Sequence, residues 1–241
     1  MKSTVRLLTM NVCLATFFRH PYARIKALAQ QPEVIRSNIL NLQEVHTYDV
    51  LWKLRTKLMG FKYVSYVPWV LGPRGGQVTF SKRPIRMLAY IPFGFHKGIL
   101  ISTSDGLLVV NAHLIANHDG DWSKHNRFYP IHRQQLDRLN DILQQPAYRE
   151  RGIILSGDFN LAKTSDLYPY FVKTGGWQDA AEHADSPTFH AEFLPPEKSL
   201  ERIDYIFTRG NIRSTDTTDV FQHKVNEMYL SDHAGIVATI K

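Results

Sequence analysis

The sequence predicts an α/β protein in which two packed β-sheets are covered by helices. Short apolar runs typical of strands recur along the chain, and amphipathic segments separate them at intervals in both halves. No low-complexity tract, internal repeat or long linker interrupts the 241 residues. We therefore expect one domain that spans residues 1–241.

In the first half, strands alternate with helices. The apolar pattern predicts strands at residues 5–10 and 39–43, a helix at 22–30 that closes before Pro32, and a helix at 49–59 that Gly60 ends. Strand-like runs follow at residues 63–67, 77–81, 87–91, 98–102 and 107–112. Tight turns between them, such as Ser104 to Gly106, indicate antiparallel pairing.

The second half repeats this alternation. Residues 131–143 are the clearest amphipathic helix, with an apolar face formed by Leu136, Leu139, Ile142 and Leu143. The pattern then predicts a strand at residues 153–155, a helix near 166–173, and strands at 203–207, 212–214 and 235–240.

Composition excludes several classes of protein. The apolar content of 44% is typical of a globular core, and no apolar run approaches the roughly 20 residues that span a bilayer. Because the first residues enter a strand-like segment directly, we expect no signal peptide. The single cysteine, Cys13, excludes an internal disulfide and fits a reducing compartment such as the cytoplasm. We expect it to be a small buried side chain.

Charge is distributed unevenly along the chain. Residues 1–90 carry 14 Lys and Arg against three acids, a balance of +11. Residues 91–241 carry 15 Lys and Arg against 19 acids, a balance of −4. A basic half beside an acid-bearing half suits an anionic substrate held over a metal site. The asymmetry favours a polyanion or an anionic membrane surface and does not choose between them.

Polar side chains suited to a metal or phosphate site occur in or after six predicted strands. They are Asn11, Glu44, Asn111 with His113, Asp158 with Asn160, Asp204, and Asp232 with His233. Glu44 is the best candidate ligand for a hard cation such as Mg²⁺, supported by Asn11 and one or more of the aspartates.

Two of these segments allow more specific predictions. Asp158 and Asn160 follow a buried strand, and an extended backbone would point both side chains the same way. Asp204 lies between apolar neighbours and would be costly to bury unpaired, which argues for a partner such as His233.

Four motifs, in this order, resemble the endonuclease/exonuclease/phosphatase superfamily, which includes DNase I-like nucleases, apurinic endonucleases and neutral sphingomyelinases. They are Leu42 to Glu44, Gly157 to Asn160, Arg202 to Tyr205 and Ser231 to His233. The resemblance begins at Thr9 and covers nearly the whole chain. It implies a four-layer α/β sandwich of two packed mixed β-sheets flanked by helices, the DNase I-like fold.

The resemblance also implies Mg²⁺-dependent hydrolysis of phosphoesters, with Mn²⁺ or Ca²⁺ as alternative cofactors. Asn11, Glu44 and Asp232 would hold the metal. His113, Asp158, Asn160, Asp204 and His233 would be catalytic, with Asp158 and His233 as rivals for the general base. Asn111 and Arg74 would contact the substrate.

Looser similarities point toward the neutral sphingomyelinase branch. Apurinic endonucleases carry a tyrosine where this chain has His113, and Lys97-Gly98 before a strand is similar to sphingomyelinases. Residues 117–132, with four aromatic side chains, and residues 67–76, with Arg74, are candidate rims of the site. Aromatic side chains suit either a membrane interface or a nucleobase.

Three hypotheses follow. The first is a phosphodiesterase that acts on a phospholipid such as sphingomyelin, with peripheral membrane contact. The second is the same chemistry on DNA or RNA. The third is a catalytically silent binding module, which the presence of every key residue disfavours. No obligate protein partner is predicted.

Overall fold

The computed structural model describes residues 4–14, 20–94, 96–149 and 151–241. The first strands and helices are β1 (Val5–Leu14), α1 (Pro21–Ala29), α2 (Pro32–Arg36), β2 (Ile39–Val45), α3 (Tyr48–Lys57), β3 (Tyr63–Ser65), β4 (Val78–Ser81), β5 (Arg86–Gly94), β6 (Lys97–Ser104) and β7 (Leu107–His113). They are followed by α4 (Tyr129–Leu143), α5 (Pro146–Arg149), β8 (Ile153–Asp158), α6 (Leu167–Gly175), β9 (Gln178–Asp179), β10 (Asp204–Arg209), β11 (Ser214–Val220) and β12 (Gly235–Ile240).

These strands form two mixed six-stranded sheets, in the orders β11-β12-β1-β2-β4-β3 and β5-β6-β7-β8-β10-β9. In the middle of each sheet two strands run parallel, β1 with β2 and β7 with β8. Their outer neighbours run antiparallel. Since parallel strands end at the same edge, each sheet brings two central carboxyl ends together.

Helices cover the outer face of each sheet. Leu8 and Leu40 point outward from the first sheet and share an apolar cluster with Leu28 of α1 and Leu54 of α3. On the second sheet, the outer cluster combines strand residues with side chains of α4 and α6, among them Val110, Leu155, Leu136, Leu139 and Phe171. The layers are therefore helices, sheet, sheet and helices, which confirms the predicted four-layer α/β sandwich.

The layer between the sheets changes from apolar to polar along the strands. At one end it is formed by Leu7, Ile39, Val109, Ile154, Ile206 and Ile236. Further along four of these strands, the positions of the same inward parity are Thr9, Asn41, Asn111 and Ser156, all fully buried. Asn41 Nδ2 donates to Ser156 Oγ at 2.8 Å, which joins the first sheet to the second. Asn11, His113 and Asp158 occupy the next positions in three of these strands.

Most predicted elements are present, and the differences have local causes. The first helix ends at Ala29, before Pro32 as predicted, but Pro32 then begins the short helix α2, which was not predicted and in whose first turn a missing N–H costs nothing. The strand predicted at residues 212–214 is instead β11, a longer strand at the sheet edge whose alternating polar residues gave no apolar signal. The short elements α5 and β9 were not predicted.

No helix in the described ranges is long and apolar enough to cross a membrane. The first three residues, which contributed to the expectation of no signal peptide, lie outside the described residues. Cys13 is buried, as expected, and burial raises the pKa of its thiol well above the usual range.

Asn111 lies in the polar layer between the sheets and has no exposed surface. Its Nδ2 donates to the carbonyl oxygens of Leu42 and Val78 at 3.0 and 3.1 Å, and its Oδ1 accepts from Gln43 Nε2 at 2.7 Å. These three partners belong to the first sheet, whereas Asn111 belongs to the second. The structure therefore places Asn111 as a link between the sheets and not in contact with the cleft, where a substrate contact was predicted.

Replacing Asn111 tests this placement. Asn111→Ala leaves two buried carbonyls and the Gln43 amide without their partner, so we expect the free energy of unfolding to fall by about 1–3 kcal/mol. Urea denaturation of the variant and the parent protein measures the difference. Unchanged stability combined with weaker substrate binding would show that Asn111 acts on the substrate instead.

Candidate active site

A cleft with a volume of about 320 Å³ opens at the edge where the central strands of both sheets end. Its floor includes Asn11 from β1, Glu44 from β2 and Asp158 from the end of β8. Asp232 and His233, just before β12, line it as well. With Asn160, the fold thus brings six predicted site residues from four distant segments into one cavity.

Asn11 joins the two carboxylates on the floor. Its Nδ2 lies 3.1 Å from Glu44 Oε1 and 3.1 Å from Asp158 Oδ2, and it donates to both. Its Oδ1 accepts from the backbone N–H of Cys13 at 3.0 Å, which fixes the orientation of the amide. Asn11 therefore holds two negative groups close together, one from each sheet.

Glu44 occupies a strained position at the end of β2. Its φ of 61° lies in the left-handed region, which side chains other than glycine rarely adopt. Gly76 packs against it, and a β-carbon there would come within 3.1 Å of Glu44 Cα. Strain of this kind persists where the surrounding structure over-determines it, often at functional sites.

Lys97 places a lysine ammonium beside these carboxylates. Its Nζ lies 3.9 Å from Glu44 Oε1 and contacts His113 Nε2. Burial alone would raise the pKa of Glu44, but interactions with His46, Lys97 and Asn11 hold it well below its usual range. Burial lowers the pKa of Lys97, and Asp158 and Glu44 oppose that effect. The floor is thus a compact group of paired opposite charges.

His233 and Asp204 form a buried pair in the site. His233 Nδ1 lies 2.9 Å from Asp204 Oδ2, which confirms the predicted partner. The other ring nitrogen, Nε2, faces Asp158 Oδ2 at 3.8 Å, too far for a hydrogen bond. Burial lowers the pKa of His233, but Asp204 and Asp158 outweigh it and raise the pKa above the usual value. This arrangement fixes the imidazole ring and leaves Nε2 available.

Asp158 accepts hydrogen bonds from several sides. Asn160 N donates to Asp158 Oδ1 at 2.8 Å, and His113 Nε2 lies 3.4 Å from Asp158 Oδ2. Although burial raises the pKa of Asp158, the charge of His233 and contacts with His113 hold it well below the usual range. Asp158 is therefore a fixed anion with little affinity for a proton.

Asn160 borders the cleft, but its backbone conformation differs from the extended one that was predicted. β8 ends at Asp158, and Asn160 adopts a left-handed φ of 48°, so the backbone between them is not extended. Asn160 Nδ2 donates to the carbonyl of Leu114 at 3.1 Å. Both side chains still border the cleft.

The two remaining predicted residues, Asp232 and Arg74, lie in different parts of the structure. Asp232 lines the cleft, with Ser231 Oγ 2.9 Å from its Oδ1. Arg74 is not among the cleft-lining residues described; its guanidinium carbon lies 4.9 Å from the centre of the Trp69 ring and 5.2 Å from that of Tyr90. Arg74 belongs to the neighbouring rim loop.

Sequence reasoning named one wall of the cleft, within residues 117–132, as a candidate rim, and did not identify the other. One wall comes from residues 116–122 and includes Trp122, and the facing wall is formed by Phe189, Phe193, Leu194 and Pro195. Lys198 joins them by contacting the carbonyl of His118. Lys97 was noted only for its similarity to one branch. No spacing pattern marks these residues, because they come from loops that only the fold brings together.

Two sets of side chains in the site offer ligand atoms for a metal ion. Asp158, Asp204 and His233 offer ligand atoms that lie within 4.8 Å of one another, all buried. Two of those atoms already pair with each other, which disfavours a cation between them. Glu44 is more open, with 24% of its side chain exposed, and the Asn11 amide that donates to it also donates to Asp158, a second source of oxygen ligands. Oxygen donors of this kind suit Mg²⁺, Mn²⁺ or Ca²⁺.

Solved structures of the same fold cover nearly the whole chain. Sphingomyelinase C from Streptomyces griseocarneus superimposes with a TM-score of 0.75 at 18% identity, covering 98% of this chain and 99% of that one. An endonuclease/exonuclease/phosphatase from Bacteroides vulgatus gives 0.73 at 20% identity over 100% and 99% of the two chains. TDP2 from D. rerio, complexed with a single-strand DNA product, gives 0.73 at 17% identity over 99% of each.

Comparison of the sequence with known protein families identifies the family of this chain. No curated protein matches the chain. The model of the Endonuclease/Exonuclease/phosphatase family matches residues 8–233, which include every predicted catalytic and metal-binding residue. The chain therefore belongs to this family, which confirms the predicted class of enzyme, a phosphoric ester hydrolase.

Proposed function

We propose that this protein is a Mg²⁺-dependent phosphodiesterase that acts on a phospholipid such as sphingomyelin. The observation that carries the proposal is the cleft itself, whose charged floor meets an apolar wall. The floor suits a phosphate group, and the wall of Phe189, Phe193, Leu194 and Pro195 suits the apolar part of a lipid. The similarity in fold to a sphingomyelinase supports this reading.

The metal would be held at Glu44, with Asp158 as the neighbouring oxygen donor. Asn11, which turns its Nδ2 toward both carboxylates, would position them. Any oxygen ligand from Asn11 would come from the Oδ1 that accepts from Cys13. Bound there, Mg²⁺ would supply a Lewis acid that offsets negative charge on the phosphate and the leaving oxygen. Asp232 lies at the far side of the same floor and completes the negative lining.

His233 is the group best placed to take a proton from the attacking water. Its Nε2 faces the cleft, and Asp204 holds the ring by Nδ1 and stabilises the charge that forms. Asp158, the rival, is a weaker base because several donors already stabilise its anion. Asp158 would instead orient the water and His233.

The remaining polar groups would bind the phosphate. Lys97 Nζ borders the cleft, so it can contact a phosphate oxygen as the charge on that oxygen increases. His113, which is buried beside it, would position the Lys97 ammonium. Asn160 also borders the cleft and would orient the phosphate from the side of β8. These contacts are strongest where the cleft excludes water.

A nucleic-acid substrate is the second candidate. Trp122 on one wall and Phe193 on the other offer aromatic faces on which a base can stack. TDP2, which shares the fold, was solved with a single-strand DNA product. The same floor would hydrolyse either kind of phosphodiester.

A substrate panel separates these candidates. We expect the protein to hydrolyse sphingomyelin in vesicles faster than it nicks a plasmid or cleaves an oligonucleotide or an inositol phosphate, and we expect EDTA to stop hydrolysis. Product release is measured for each substrate at equal enzyme concentration. Nicking of the plasmid without lipid hydrolysis would replace the lipid proposal with the nucleic-acid one.

Replacing Glu44 tests the metal site. Glu44→Gln keeps the size of the side chain and removes its charge, so Mg²⁺-stimulated hydrolysis should fall at least about 100-fold. Calorimetric titration should show weaker Mg²⁺ binding by the folded variant. Glu201→Gln, at another carboxylate lining the cleft, is the matched control and should retain both properties. Equal loss in both variants, or none in either, would remove Glu44 from the metal site.

Replacing Asp204 tests the base. Asp204 raises the pKa of His233, and a base must be neutral, so activity increases as pH rises through that pKa. Asp204→Asn removes the charge, and the rising limb of the pH–rate profile should move to lower pH. The maximal rate should fall by roughly 100-fold to 10,000-fold because the ring loses its anchor. If the rising limb of the pH–rate profile stays at the same pH in the variant, His233 is excluded as the base.

A further inference from the structure

Exposed apolar side chains concentrate on one part of the surface. In the described ranges, nine of the thirteen large exposed hydrophobic residues fall between Tyr22 and Leu71. The most exposed of these include Met59 at 82%, Val70 at 78% and Leu71 at 75%. Apolar exposure that is scattered needs no explanation, whereas a contiguous group marks an interaction site.

Five of these residues form one patch, which we call the apolar tip. It consists of Tyr48, Trp52, Trp69, Val70 and Leu71. Tyr48 N donates to the carbonyl of Leu71 at 3.0 Å, and Tyr48 Oη donates to that of Trp69 at 2.8 Å. Trp52 follows Tyr48 by one turn of α3 and lies on the same exposed side. The loop and the helix thus present a continuous apolar surface.

The conformation of the apolar tip is fixed. Pro68 pairs with Pro73 across its base, and Trp69 N donates to the carbonyl of Gly72 at 2.9 Å. A side chain on Gly72 would come within 2.2 Å of the carbonyl oxygen of His46, so glycine allows the loop to pack against the residues that follow Glu44. The tip is therefore held outward, beside the segment that carries the candidate metal ligand.

Positive charge surrounds this surface. Residues 48–86 contain eight Lys and Arg but only one acid, Asp49. Lys53 Nζ lies 5.2 Å from the ring centre of Trp52, and the Arg74 guanidinium carbon lies 4.9 Å from that of Trp69. Apolar side chains bordered by aromatic rings and cations are the combination that binds the interface of an anionic bilayer.

We propose that the apolar tip docks this protein on a bilayer that contains anionic phospholipid, with Val70 and Leu71 entering the interface. The proposal rests on the proposed function, since docking there would place the neighbouring cleft at the surface where a lipid substrate lies. A nucleic-acid partner is disfavoured by the two most exposed residues of the tip. Val70 and Leu71 are aliphatic and offer no face on which a base can stack.

Vesicle flotation tests the proposal with the double variant Val70→Asp, Leu71→Asp. Binding to vesicles of phosphatidylcholine with about one-third phosphatidylserine should fall at least about tenfold. Binding of the parent protein should be weaker to phosphatidylcholine alone and at high salt. Hydrolysis of water-soluble bis(p-nitrophenyl) phosphate should be unchanged, which also shows that the variant folds. Ile131→Asp, an exposed aliphatic position on α4, is the matched control and should bind vesicles normally.

The outcomes separate docking from catalysis. Undiminished vesicle binding by the double variant overturns the docking proposal, whether or not the protein hydrolyses phosphodiesters. Loss of plasmid binding in this variant with vesicle binding retained also overturns it and assigns the surface to nucleic acid. A parent protein that hydrolyses no phosphodiester refutes the proposed function, whereas tip-dependent vesicle binding still supports the docking surface.

Discussion

Asn41 and Asn111 are fully buried between two β-sheets, and their side-chain amides are satisfied there because the facing sheet supplies hydrogen-bond partners. An unpaired amide in that position would cost about 1–3 kcal/mol, so the sheets are stable in the register that pairs them. That register also sets the positions of the next residues along the strands. Asn11, His113 and Asp158 meet at one edge because the layer beneath them is locked.

The site above this layer is a network of charges that are individually costly to bury. Glu44 and Asp158 are held close together by Asn11, and Lys97 lies between Glu44 and His113. A buried charge is tolerated when it is paired and hydrogen-bonded. The network joins both sheets, since Glu44 belongs to the first sheet and Lys97, His113 and Asp158 belong to the second.

Sequence reasoning predicted the parts of the site that depend on residues close to one another in sequence. Strand ends with polar residues are visible locally, and the pairing of Asp204 with His233 followed from the cost of burying a lone carboxylate. Asn111 shows the limit of that reasoning. It has the same strand parity as His113, but only the packing of the second sheet on the first decides that Asn111 bonds to the first sheet while His113 lies beside Lys97 and Asp158.

The loops were less predictable than the strands for a physical reason. The left-handed backbone of Asn160 depends on contacts with the Asp158 side chain and the Leu114 carbonyl. Lys198 contacts the carbonyl of His118, which is 80 residues away in the chain. Both residues line the cleft together with Phe193. No local periodicity records such contacts.

The central claim is that a divalent cation binds at Glu44 on the floor of this cleft. Anomalous diffraction from crystals soaked in Mn²⁺ tests it most directly, because the ion is located without reference to activity. We expect a peak within bonding distance of a Glu44 carboxylate oxygen, on the side that faces Asp158. A peak between Asp204 and His233, or none in the cleft, would contradict the account.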